Sequence, residues 1–297
     1  MINNQKIILT GATSKTGDYF LSLLNKYKHR GLIIVLSRKK INLYKFRNLK
    51  IKILNYDLKD VQKINNISYF QGAFFLHIAG INYSKNILRF CILNKVTWLI
   101  LTHTTGKFSF KKPQSVVYNK IDDYIKRFRF KLGITFIYPT MIYGTFNDGN
   151  IFKLVSFLKK IFFIIPLINN GKNLVQPVFY SDVATAFYKI ILKKNKTFNK
   201  EYILAGKEPI SHKEIFVNIL NLLKKKYIFI RIPFFLIFYI INFVSFFTGK
   251  NNFYWFIMRI NENRIFSIEK AINDFGYFPL NFKKGIELAF KNYFKKN

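Results

Sequence analysis

Short apolar runs recur along the first half of the chain, each bounded by polar or glycine-rich turns. Ile7-Ile8-Leu9, Gly31-Leu32-Ile33-Ile34-Val35-Leu36, Ile51-Lys52-Ile53-Leu54, Phe74 to Ile78 and Trp98-Leu99-Ile100-Leu101 all read as buried strands. Between the first two, Phe20, Leu23, Leu24 and Tyr27 recur at helical spacing. A helical stretch containing Tyr118 and Asp122 precedes another strand, Gly133-Ile134-Thr135-Phe136. Strands alternating with helices predict an α/β chain with a doubly wound parallel sheet. Residues 145–181 predict a helix over Phe152 to Leu158 and then an irregular stretch through Pro166 and Gly171. A strand returns near 201–205. The expected division is a nucleotide-binding domain over 1–182, with that return, and a smaller, mainly helical C-terminal lobe over 183–297.

The first strand runs straight into Thr10-Gly11-Ala12-Thr13-Ser14-Lys15-Thr16-Gly17 and then into a helix. Strand, glycine turn and helix together make an anion cradle, because backbone N–H groups and the positive helix end face one point. Gly11 can take positive φ, and Gly17 lets the helix approach the strand. Incidental glycines in an ordinary βα turn are the alternative; the place after the first strand favours a Rossmann-type dinucleotide turn.

The 297 residues can bury a full core, and 49 Lys+Arg against 14 Asp+Glu give a net charge of +35. Such a charge invites a nucleic-acid or anionic-membrane reading. The lysines are spread over the whole chain among Ile, Asn and Phe, and no nucleic-acid motif or dense basic arm accompanies them. Nonspecific attraction to polyanions is expected; a specific nucleic-acid partner is not. A single cysteine, Cys91, excludes an intramolecular disulfide and a metal–thiolate cluster, and no metal site is expected. No signal-peptide pattern is read at the N-terminus, so the expected compartment is the cytoplasm.

The glycine turn resembles the TGATGxxG opening of the extended and atypical short-chain dehydrogenase/reductases, which include NAD-dependent nucleotide-sugar epimerases and dehydratases. Ser14 stands at the family's middle glycine, where its Cβ lies near the phosphates and its hydroxyl can donate. Further likenesses follow in order. Asn55-Tyr56-Asp57-Leu58 is similar to GDLxD, Ile78-Ala79-Gly80 to the turn at the nicotinamide ribose, and Gln176 to Ala184 to PVhVdDvA. Phe275-Gly276-Tyr277-Phe278-Pro279 resembles the closing LGy.P segment. The resemblance covers about residues 5–290. It implies NAD(P) held by Gly11, Thr13, Ser14, Lys15, Thr16, Gly17, Arg38, Asp57, Leu58, Ala79 and Gly80. Arg38, where NAD-preferring folds carry an acid, points to NADP over NAD. His77 reads as a hydrogen-bonded core histidine and Asp182 as a helix cap. Ser211 and Glu214 form a capping box.

The family's hydroxyl residue maps to Thr104, at the carboxyl end of a strand where ligands bind, and its tyrosine to Tyr118. The family's lysine position holds Asp122, four residues on and on the same helical face, where a carboxylate opposes ionisation of the phenol. Tyr138 replaces an arginine of the family. Two functions follow: an NAD(P)-dependent oxidoreductase or epimerase/dehydratase-like enzyme on a nucleotide-sugar-like small molecule, or a dinucleotide-binding scaffold or sensor without catalysis. The uncharged run 232–247, flanked by Lys224 to Lys226 and by Lys250, reads as a buried helix or as a helix lying in a membrane surface. It is shorter than the ~20 residues of a spanning helix. Oligomeric state is not legible.

Overall fold

The computed structural model describes residues 4–39, 41–111, 113–145, 149, 151–161, 163–237, 239 and 260–294. Seven strands form one parallel sheet: β1 (Ile7–Thr10), β2 (Ile33–Leu36), β3 (Ile51–Leu54), β4 (Phe74–His77), β5 (Trp98–Thr102), β6 (Gly133–Pro139) and the later Glu201–Leu204. The order is Glu201–Leu204, then β6, β5, β4, β1, β2, β3, so the chain reverses direction across the sheet between β1 and β4. That is the Rossmann arrangement expected from the alternation, and its switch point is where open α/β sheets bind ligands.

Apolar runs without alternation become strands buried on both faces. Ile7, Leu9, Ile33 and Val35 point into one core, with Phe20, Leu21 and Leu24 of helix α1 (Lys15–Lys26). Ile8, Ile34, Leu99 and Leu101 point into the other. There they meet Ile87, Leu88 and Phe90 of α3 (Ser84–Leu93) and Ile121 and Ile125 of α4 (Gln114–Lys126), a short α2 (Ile67–Phe70) lying before them.

A third core is separate from these two. It gathers α5 (Ile151–Lys160), α8 (His212–Leu222) and α10 (Phe282–Phe294). Helices α6 (Tyr180–Leu192) and α9 (Glu269–Phe275) instead bury Phe187, Ile190, Ala271 and Phe275 in the α1 core, and a short α7 (Lys194–Thr197) follows α6. Three small two-stranded sheets also occur, among strands β7 (Ile142–Tyr143), β8 (Ile164–Ile168), β9 (Leu174–Val175), β10 (Val178–Phe179), β12 (Ile210–Ser211) and β13 (Ile228–Ile232), with Glu201–Leu204 as β11. The stretch through Pro166 is therefore a strand where the sequence predicts irregular chain.

The Ser211–Glu214 capping box is present, the Ser211 side chain accepting from Glu214 N and Glu214 from Ser211 N. Asp182, expected to cap α6, does not do so. The cap position of α6 is Phe179, and the Asp182 carboxylate accepts instead from Leu280 N at 2.9 Å, tying α6 to the chain entering α10. Burial pushes its pKa up to about 6 against that bond. Of the uncharged run, residues 232–237 and 239 are described; 238 and 240–247 lie outside the described residues. Among the described residues no helix is long and apolar enough to cross a membrane.

Candidate functional site

Three loops meet at the carboxyl edge of the neighbouring strands β1, β4 and β5. Gly11, after β1, has φ +74°, and a Cβ on it would lie 3.0 Å from both Ala79 N and Ile78 Cβ of the loop after β4. The glycine lets two loops touch. A Cβ on Gly17 would lie 2.3 Å from Gly11 O, so this residue is required for α1 to pack on its own turn. Ser14 occupies the cap of α1: its Oγ donates to Gly11 O at 2.7 Å and accepts from Gly17 N at 3.0 Å. The hydroxyl expected to face phosphate is thus engaged within the turn, holding its shape. Thr13, Ser14 and Lys15 are exposed around the helix end, and Thr16 is buried behind it.

His77, closing β4, is buried with Nδ1 2.7 Å from Thr10 Oγ1 and Nε2 3.4 Å from Gly80 O. Burial pushes its pKa down to about 3. It joins β1 to β4 under the turn as a neutral ring, in the core role expected of it.

In the loops that follow β2 and β3, Arg38 and Asp57 pair with each other at 3.0 Å, both partly in solvent. Asp57 also accepts from Lys59 N at 2.9 Å, and this bond and then the Arg38 charge hold its pKa below the usual carboxylate value. Sequence assigned these residues to separate parts of the cofactor. Space puts them at one place, and the half-buried Leu58 follows in the same turn, its carbonyl accepting from Asn86 Nδ2 at 3.3 Å.

The β5 end is built from side chains. Thr104 has extended backbone, and its Oγ1 accepts from Gly106 N at 3.0 Å, leaving the hydroxyl proton to donate outward. His103, its neighbour, points the other way into the protein, as alternation along a strand requires. Its Nε2 lies 2.8 Å from Ser84 Oγ and its Nδ1 2.5 Å from Asp122 Oδ1. Asp122 Oδ2 accepts from Lys107 Nζ at 2.5 Å and from the Tyr138 hydroxyl at 2.8 Å. The Tyr138 oxygen is also 3.3 Å from Glu201 Oε2, and Glu201 pairs with Lys126 at 2.8 Å and Arg129 at 2.9 Å.

Asp122 has no exposed surface. Burial raises its pKa, but the bonds and charges of His103 and Lys107 outweigh this and hold it below the usual value. The carboxylate that spacing sets beside Tyr118 is therefore committed to His103, Lys107 and Tyr138, and its charge is met by the Lys107 ammonium. The same carboxylate grips residues 103 and 107, the two ends of the loop that carries Thr104. Tyr118 is half-buried, one turn before Asp122 on α4.

Sequence reasoning missed Lys107, Ser84 and Glu201. The one available signal was a carboxylate on a helix face that also carries Ile121 and Ile125, since a buried Asp needs a partner. It also missed a clasp from the C-terminal segment. Glu262 accepts from Ser109 Oγ at 2.7 Å and from Phe110 N at 3.0 Å, and Arg264 Nη2 lies 3.3 Å from Thr105 Oγ1. A cation from the far end of the chain thus sits on the Thr104 loop. Among the described residues, no three His, Cys, Asp or Glu side chains gather to hold a metal ion.

No protein-family model and no curated protein sequence matches the chain. Solved structures do match in fold. A dTDP-glucose 4,6-dehydratase from Bacillus anthracis, solved in complex with NAD, superposes with TM-score 0.74 at 14% identity, over 99% of this chain and 97% of its own. A UDP-glucose 4-epimerase from Thermotoga maritima, solved with UDP-glucose, gives 0.69 at 14% identity over 98% and 99%. The epimerase Mth375 from Methanothermobacter thermautotrophicus gives 0.72 at 12% identity over 99% and 94%. The chain has the fold of these epimerases and dehydratases along nearly its whole length.

Proposed function

We propose that the chain binds NAD(P) across the β1–β4 switch point and acts on a nucleotide-sugar-like substrate as an epimerase/dehydratase-like oxidoreductase. The observation that carries this reading is the contact of the Gly11 turn with Ile78-Ala79, one strand away from Thr104. It makes one continuous edge from an anion cradle to a hydroxyl donor. Structures with this fold were solved with NAD and with UDP-glucose.

In this reading the α1 end, with Thr13 to Gly17, takes the pyrophosphate through backbone N–H groups. Ala79 and Gly80 leave room for the ribose beside β4. Arg38 leaves Asp57 for a 2′-phosphate when NADP is the ligand, and Asp57 with Leu58 faces the adenine. NAD(P), when bound, supplies the hydride acceptor. Thr104 directs its hydroxyl proton at the substrate oxygen, and Tyr118 hydrogen-bonds the same oxygen or the ribose. Asp122 fixes the loop bearing Thr104 through His103 and Lys107, and the Lys107–Asp122 pair keeps net charge off the neighbouring phenol.

The second reading, a dinucleotide-binding scaffold or sensor, is favoured by one observation: Asp122, four residues after Tyr118 on α4, is a carboxylate turned inward and bonded to His103 and Lys107. Mass spectrometry and absorbance of the purified protein decide between no ligand and a co-purified dinucleotide; turnover with UDP-glucose or dTDP-glucose then separates enzyme from scaffold. Absence of any bound or titratable dinucleotide would overturn both readings.

A further inference from the structure

Strands β8 and β13 run parallel with Ile164 beside Ile228, Pro166 beside Ile230 and Ile168 beside Ile232. Alternate residues share a face, so every position on this outward face is apolar. Ile164, Ile228 and Ile230 are 47%, 60% and 47% exposed, whereas Ile165 and Leu167 on the opposite face are buried, Ile165 in the third core. Phe163 before β8 and Phe235 after β13 are exposed as well.

Lysines that precede the two strands add positive charge at the strand entries. Lys160 lies just before β8, and Lys224 and Lys226 just before β13; all three are exposed. Between them Lys225 Nζ donates to the carbonyl oxygens of Leu158, Lys159 and Ile161 at 2.9, 2.5 and 2.7 Å, clamping the two strand entries together. No Asp or Glu occurs in residues 151–181 or 215–261, the two segments that supply these strands. An apolar ladder with a cationic end and no acid is complementary to an anionic bilayer, whose acyl boundary takes the isoleucines and whose headgroups take the lysines. A second copy of the chain would bring an identical cationic cluster toward the first, which like-charge repulsion opposes.

We propose that the outward face of β8 and β13 docks the protein on an anionic lipid surface. The proposal is independent of the dinucleotide site, and its test reads no nucleotide. The full chain is sedimented with vesicles of phosphatidylcholine alone and of phosphatidylcholine mixed with phosphatidylserine, at physiological salt. Ile164→Asp with Ile230→Asp is compared with Tyr44→Asp plus Phe278→Asp, which remove exposed apolar side chains elsewhere for the same added charge. The expected result is sedimentation with the mixed vesicles only, reduced about tenfold or more by the first pair and little by the second. Should the first pair lose its cooperative melt, Lys160→Glu with Lys226→Glu, both at the surface, is expected to give the same loss. A parent that stays in the supernatant overturns the proposal. So does an equal loss in the two aspartate pairs, which is adsorption by net charge. A parent dimer that the first pair turns into a monomer assigns the face to a second copy instead.

Discussion

At the β1 end of this sheet edge the chain presents backbone, shaped by Gly11, Gly17 and the Ser14 cap. At the β5 end it presents side chains, and those are bound to one another through Asp122. The first end depends on local sequence: a strand, a positive φ and a helix start within about a dozen residues. The second depends on His103, Lys107, Asp122, Tyr138 and Glu201, which the fold gathers from three strand ends and one helix. A backbone site tolerates change at most side chains. A buried charge network does not, because removing one member strands the others in a place without water.

The largest expected effect follows from that contrast. Asp122→Leu leaves the Lys107 ammonium, only a tenth exposed, facing an apolar side chain. The change is expected to cost about 3–5 kcal/mol of stability, read as the shift of the urea unfolding midpoint. Asp122→Leu combined with Lys107→Met removes both charges and is expected to recover a large part of that loss. A double variant no better than the single would show that the pair is not what holds the loop.

The second effect is at the junction of the two ends. His77 is held neutral by burial, its pKa down at about 3 against an ordinary 6.5. The unfolded chain takes up a proton below about 6.5 while the folded chain does not, so this residue costs stability as pH falls. The slope is about 1.4 kcal/mol per pH unit across the window between those two values. His77→Asn should remove that slope, flattening the stability profile between pH 6 and 4 relative to the parent. Parallel profiles would mean that His77 titrates normally.

The smallest effect is at the β2 edge. Arg38 and Asp57 are exposed enough that Arg38→Ala should leave the melting temperature unchanged. Its expected consequence is for ligand choice: NADP should bind the parent more tightly than NAD, and loss of the guanidinium should narrow that preference about tenfold, the scale of a charge-assisted hydrogen bond. Equal affinities in the parent would remove the 2′-phosphate role.

The same contrast explains what could be read in advance. Strands β1 to β6 are legible because each is a short apolar run ending in a turn residue, and α1 because Phe20, Leu23 and Leu24 keep helical spacing. The Gly11–Gly17 turn is legible for the same local reason. Strand β8 is not, since Pro166 in its middle reads as a breaker; it is tolerated in a two-stranded sheet at the surface. Strand β13 merges into the uncharged run after it, so no alternation marks its end. Lys107 lies 15 residues from Asp122 with nothing local to join them. Spacing along α4 sets Asp122 one turn after Tyr118 but gives no account of what crosses from β5 to meet the carboxylate. Asp182 misled for a related reason: one turn of register separates a cap from a residue that reaches Leu280 instead.

The central claim is that the Gly11–Gly17 turn holds a dinucleotide pyrophosphate. Gly17 is a poor place to test it, since any side chain there meets Gly11 O and disturbs the turn itself. Thr13 is exposed at the mouth of the cradle, so Thr13→Glu adds a carboxylate there without touching the core. Isothermal titration of the parent and of Thr13→Glu with NAD and NADP is the direct measurement. The account predicts binding to the parent and loss of at least about tenfold in affinity in the variant, through repulsion between two anions, at an unchanged melting temperature. Equal affinity in the two proteins, or no binding to the parent, would contradict it.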